Sequence, residues 1–162
     1  MLFKILFPLL LFSIVLYSAP KQLTTPKETL LLLEELKDDA IVFGNGKKEI
    51  HSFIDPKCSV SQRYLKHLIR KKKKLFKRYK IYLYLYELKR KKSANIIQNI
   101  FDSDFPDILL KAIMVDKNIK LSEFDEDLDD EDINSKMERI NQVAKKIGVY
   151  KRPYIITNGR GK

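Results

Sequence analysis

A strand that runs straight into a cysteine at the start of a helix is the feature that most constrains this chain. The stretch is Ile50-His51-Ser52-Phe53-Ile54-Asp55-Pro56-Lys57-Cys58-Ser59-Val60-Ser61. An apolar run is broken by Asp55-Pro56, and from Ser59 onward apolar residues recur at helical spacing. The first turn of a helix carries unpaired backbone N–H groups and the positive end of the helix dipole. A sulfur held there is favoured as thiolate, the form that reacts.

Cys58 is the only cysteine. That excludes an internal disulfide and a zinc site built on several thiolates. The two histidines, His51 and His67, show no metal-ligand spacing. On the helix that follows Cys58, His67 would stand about 13 Å away along the axis, too far to act as a base. It reads as a surface residue, and His51 as a structural one. No metal and no cofactor is expected. With 162 residues, 44% hydrophobic and 33% charged, the chain fits one globular domain with a modest core. A net charge of +11 brings anionic partners into consideration.

Residues 1–19 read as a secretory signal peptide, or else as an uncleaved anchor. Lys4 forms a thin positive region, residues 5–16 an apolar core, and Tyr17-Ser18-Ala19 a weak cleavage site before Pro20. The protein is therefore expected to be periplasmic or otherwise exported. Residues 20–39 form a linker and a helix, with Thr25 as its cap, Pro26 in its first turn and Leu30, Leu31, Leu33 (or Leu32) and Leu36 as its apolar stripe. Residues 40–162 make the main domain. A short strand at 40–43 and the Asn45-Gly46 pair predict a hairpin whose returning strand, 49–54, delivers the chain to Cys58. One long helix is predicted over residues 59–78, then a strand over 81–88 that is apolar on both faces and so central. Helices follow over 93–101 and 104–115. An amphipathic helix from Ile133 ends at Gly148, and a strand over 154–157 follows Pro153.

This order, with two motifs, resembles the thioredoxin-fold family, and within it the periplasmic disulfide isomerases of the DsbC/DsbG group. Phe53-Ile54-Asp55-Pro56-Lys57-Cys58 is similar to that group's strand leading into a Cys-x-x-Cys helix. Gly148-Val149-Tyr150-Lys151-Arg152-Pro153-Tyr154-Ile155-Ile156, about 95 residues on, is similar to its cis-proline segment. The resemblance implies an α/β thioredoxin-like fold, a mixed central sheet flanked by helices. It also implies that Pro153 is cis, sits opposite Cys58 and, with Arg152, presents backbone to an extended client. Four departures stand out. Ser61 replaces the second cysteine. Arg152 replaces a small or β-branched residue. The chain ends before the family's last strand and C-terminal helix, and residues 1–39 are too short for the isomerases' dimerisation domain.

With Ser61 in place of a cysteine, an internal disulfide cannot drive net oxidation or reduction. Cys58 can still shuffle a client disulfide, or hold a client as a mixed disulfide, with the Ser61 hydroxyl available to the sulfur. The expected partners are client proteins with cysteines or disulfides. A rival reading keeps the client groove and drops the chemistry: a non-redox, chaperone-like binding module. The cations at Arg70, Lys71, Lys73 and Lys74 read first as a solvated helix face, and second as a patch for an anionic surface. No nucleic-acid partner is expected, because no basic-aromatic module is present. The acidic run at 123–132 lacks the glycine and ligand spacing of a calcium loop.

Overall fold

The computed structural model describes residues 22–87, 89–119, 124 and 128–162. Residues 1–19, expected to be a signal or anchor, and residues 123 and 125–127 of the acidic run lie outside the described residues. A five-stranded mixed sheet has the order β1-β3-β2-β4-β5, with β1 at Ile41–Phe43, β2 at Lys48–Ile54, β3 at Tyr79–Leu85, β4 at Tyr154–Thr157 and β5 at Arg160–Gly161. Strands β2 and β3 run parallel, with Ile54 opposite Leu85, and β4 lies antiparallel on the other side of β2, with Phe53 opposite Tyr154. The helices are α1 (Pro26–Glu35), α2 (Ser59–Arg70), α3 (Lys72–Arg78), α4 (Ala94–Asp102), α5 (Pro106–Lys111) and α6 (Glu131–Ile147). A π turn, Ala112–Asp116, continues α5.

Both faces of the sheet are covered, as the double-sided apolar pattern of β3 requires. Alternation along β3 sends Ile81, Leu83 and Leu85 into one core layer, where they meet Leu65, Leu68, Ile97 and Ile100. It sends Tyr82 and Tyr84 into the other, with Leu33, Leu36, Ile140 and Ile147. Helix α6 stops at Gly148, whose φ of +83° suits glycine.

Several sequence expectations are corrected. The hairpin does not form. Strand β3 lies between β1 and β2, and the Gly44–Lys47 connection arches over its start. Asn45 N–H donates to the Phe76 carbonyl at 3.0 Å, and a Cβ on Gly46 would overlap the backbone of Arg78 and Tyr79. The glycines are there for close approach, which a local turn signal cannot distinguish from a hairpin. The long helix is broken at Lys71, where φ is −101° and ψ 13°. Like charges at 70/73, 70/74 and 71/74 weaken helical continuation there. Lys72 consequently stands exposed instead of lying along the apolar stripe. In α1, Leu30 and Leu31 face solvent, and Thr29, Leu33 and Leu36 make the buried side. The last strand, expected to be missing, exists as the two residues of β5 paired with Thr157 and Ile156.

His51 lies within the second core layer, 3% exposed. Its ring stacks on Tyr82, with centroids 4.8 Å apart, and its Nδ1 lies 2.9 Å from the Tyr84 hydroxyl. Nε2 lies 3.5 Å from Glu49, whose carboxylate also accepts from Lys37 at 2.9 Å. Burial pushes the His51 pKa below the ordinary histidine value, outweighing the pull of Glu49. Burial also opposes ionisation of Glu49, but the Lys37 ammonium prevails and holds its pKa below the usual carboxylate range. As pH falls below about 6.5, the unfolded chain therefore takes up a proton that folded His51 refuses. Stability should decline from that pH down through the folded pKa of His51, with the Glu49 contribution lost only below about pH 4.3. Urea unfolding at pH 7.5 and 5.5 checks this. His51→Gln should flatten the slope between those values, and an unchanged slope would show that another group sets it.

Candidate functional site

Strand β2 ends at Ile54, and Asp55-Pro56-Lys57 turns the chain into Cys58, the N-cap of α2. The turn is tightly specified. Cys58 N–H donates to the Asp55 carbonyl at 3.0 Å, and the Asp55 carboxyl accepts from Lys57 N–H at 2.8 Å and from the Ser93 hydroxyl at 2.7 Å. Gln62 donates from its side chain to the Pro56 carbonyl at 2.8 Å. Asp55 and Ser93 are both fully buried.

The peptide bond between Arg152 and Pro153 is cis. Its approach places the Arg152 carbonyl 3.7 Å from Cys58 Sγ, within reach of the thiol as donor. The sulfur is accordingly well covered, with Cys58 8% exposed, where the sequence suggests an open thiol. Ser61 is fully buried one turn along α2. Its hydroxyl accepts from Asp55 N–H at 3.3 Å, so the partner seen is the turn and not the sulfur proposed from sequence.

The Arg152 guanidinium is held by the segment that follows β3. Nε donates to the Tyr86 carbonyl and Nη2 to the Glu87 carbonyl, each at 3.1 Å, and the group lies 3.7 Å over the Tyr86 ring. Burial pushes the Arg152 pKa below the ordinary arginine value, with Tyr86, Asp55 and Cys58 pulling the other way. Glu87 in turn accepts from the Ser93 and Ala94 N–H groups at the start of α4, and Lys57 Nζ donates to the Lys92 carbonyl. The β3–α4 connection is thus laced to both the cysteine turn and the proline loop.

All four residues singled out from sequence, Cys58, Ser61, Arg152 and Pro153, gather at this end of β2. The supporting set of Asp55, Tyr86, Glu87 and Ser93 was missed; Asp55-Pro56 was its one visible signal. Among the described residues, no group of three or more His, Cys, Asp or Glu side chains is placed to hold a metal.

No family model matches the sequence, and no curated protein does. Solved structures do. ScsC of Proteus mirabilis in a compact conformation aligns over 86% of this chain and 74% of its own, with a TM-score of 0.64 at 14% identity. The fold is thioredoxin-like. A disulfide interchange protein from Neisseria gonorrhoeae aligns over 77% of this thioredoxin-like chain and 84% of its own, with a TM-score of 0.57 and 19% identity. A periplasmic thioredoxin-like protein from Salmonella enterica serovar Typhimurium gives 78% and 90%, 0.54 and 14%. At such identities the likeness is one of fold.

Proposed function

We propose that the protein is an exported thiol–disulfide interchange protein of the disulfide-isomerase kind that acts through Cys58 alone. The observation that carries this reading is the pairing of Cys58, at the first turn of α2, with the Arg152 carbonyl of the cis-proline loop. That pairing leaves a backbone edge beside the sulfur for an extended client. The disulfide interchange protein of N. gonorrhoeae and the periplasmic S. enterica protein, both of this fold, support the activity and the compartment.

Cys58 as thiolate attacks one sulfur of a client disulfide. The bond between Cys58 and that sulfur forms as the client S–S bond breaks, and the departing client sulfur takes up the proton that Cys58 gave to solvent. Ser61 cannot resolve the adduct, because an unactivated hydroxyl does not displace sulfur. A second thiol of the client attacks the mixed disulfide instead and restores Cys58. The client leaves with its disulfide moved and no net electrons gained. Arg152 and Pro153 position the client, and Ser61 shapes the turn beneath Cys58.

Mass spectrometry after incubation with a disulfide-bonded peptide tests the first step. Wild-type protein should form a one-to-one adduct, and Cys58→Ala should form none. Disulfide shuffling of a scrambled substrate should likewise fall to background in Cys58→Ala. A wild-type protein that forms no adduct, yet binds unfolded client as well as Cys58→Ala does, would leave the non-redox binding module as the correct reading.

A further inference from the structure

Beside Cys58, two adjoining hollows of about 340 and 230 Å³ run along the first turns of α2 and share Gln62 and Lys117. They begin at Ser59 and Lys57, the two residues that flank the cysteine. Their apolar floor includes Ile113, Val115 and Ile119, supplied by the π turn and the segment after it. Their rim is cationic: Lys57, Arg63, Lys66 and Lys117. Among the described residues, no Asp or Glu lines either hollow. Arg63, Lys66 and Lys117 are exposed, and among the described residues none of the four forms an ion pair. Asp116, the acid next to Lys117, is taken by Lys111. Between Asp55 and Glu87 the chain contains no Asp or Glu.

We propose that this groove binds an acidic segment of the client beside its reacting cysteine, with one apolar client side chain on the floor. The proposal rests on the thiol reading for its purpose, but the binding is a property of the groove. Charge complementarity selects the occupant, since four cations around an apolar floor favour carboxylates and disfavour basic segments. Single charge pairs at such exposure are weak, so selection arises from several acting together and weakens with salt. The α3 cations Lys73 and Lys74 line neither hollow, which makes them a control for the overall positive charge.

The test uses the full chain and a short fluorescein-labelled peptide: Asp and Glu residues around one leucine, with serine where the client cysteine would stand. Fluorescence anisotropy at low salt should show it bound about tenfold more tightly than the same peptide with Asn and Gln. Lys66→Glu with Lys117→Glu should cancel about tenfold of that affinity, and Lys73→Glu with Lys74→Glu should change it by less than about twofold. Equal binding of the acidic and amide peptides overturns the proposal. So does an equal loss in the two charge-reversed variants, which would reveal attraction by net charge alone. A parallel incubation with acidic and basic disulfide peptides separates the two claims. If neither forms an adduct while the anisotropy result stands, the thiol reading fails and the groove remains.

Discussion

Ser61→Cys should convert the protein into a dithiol enzyme. Residues three apart in the first turn of a helix have Cα atoms about 5 Å apart, inside the range a disulfide spans. Ser61 is fully buried one turn beyond Cys58, so a sulfur placed there is reached from Cys58 rather than from solvent. Oxidised Ser61→Cys protein should lose about two mass units and both titratable thiols, one disulfide having formed. The mixed disulfide with a client should become short-lived, because the new thiol attacks it from within the same molecule. An intramolecular thiol acts at roughly millimolar effective concentration. Against roughly ten-micromolar client thiol, that shortens the adduct lifetime about a hundredfold. Net reduction of a client disulfide, coupled to an external dithiol, should then appear where wild type shows only shuffling.

The substitution has a structural cost. The Ser61 hydroxyl accepts the Asp55 N–H, and a thiol is a weaker acceptor. The reduced variant should therefore be less stable by about 1 kcal/mol in urea unfolding. An oxidised variant that keeps two free thiols would show that Cys58 and residue 61 do not face each other, and would sink the dithiol prediction.

The elements legible in the sequence are those fixed by nearby residues. Thr25-Pro26 and Glu28 announce α1, and the structure shows the reciprocal capping box. Gly148 announces the end of α6, and the strand-to-helix passage at Cys58 lies where the apolar run stops. What stayed hidden depends on partners far along the chain. Asn45-Gly46 reads as a hairpin until β3 is known to lie between the two strands. Ser93 stands in the sequence only as the start of a helix, yet its hydroxyl bonds Asp55, 38 residues earlier, and makes no capping bond. The covering of Cys58 comes from a carbonyl 94 residues away, and a cysteine's exposure is not written in its neighbours. Arg152 looked like an intrusion beside the proline. The structure gives it two carbonyls and an aromatic face in the β3–α4 connection, ligands invisible without the fold.

The second large effect is expected at Asp55. Asp55 is fully buried and joins three parts of the site: its carboxyl accepts from Lys57 N–H in the turn and from the Ser93 hydroxyl before α4, and its backbone N–H donates to the Ser61 hydroxyl in α2. Asp55→Ala removes the acceptor and leaves the buried Ser93 hydroxyl without this partner, as well as opening a small void. Orphaning a buried polar group costs about 1–3 kcal/mol, and with the lost Lys57 bond the total should reach about 2–4 kcal/mol. Ser93→Ala alone should cost less, because the carboxyl keeps other bonds. The double variant should be less destabilised than the two singles summed, by about 1–2 kcal/mol, since the orphaned hydroxyl is gone. Urea unfolding of the four proteins provides the cycle. Adduct formation by Cys58 should slow in Asp55→Ala even where the protein remains folded, because the turn that aims the sulfur at the Arg152 carbonyl has lost its brace. An Asp55→Ala protein within about 0.5 kcal/mol of wild type, the range of ordinary surface changes, would show that the carboxyl does not organise the site.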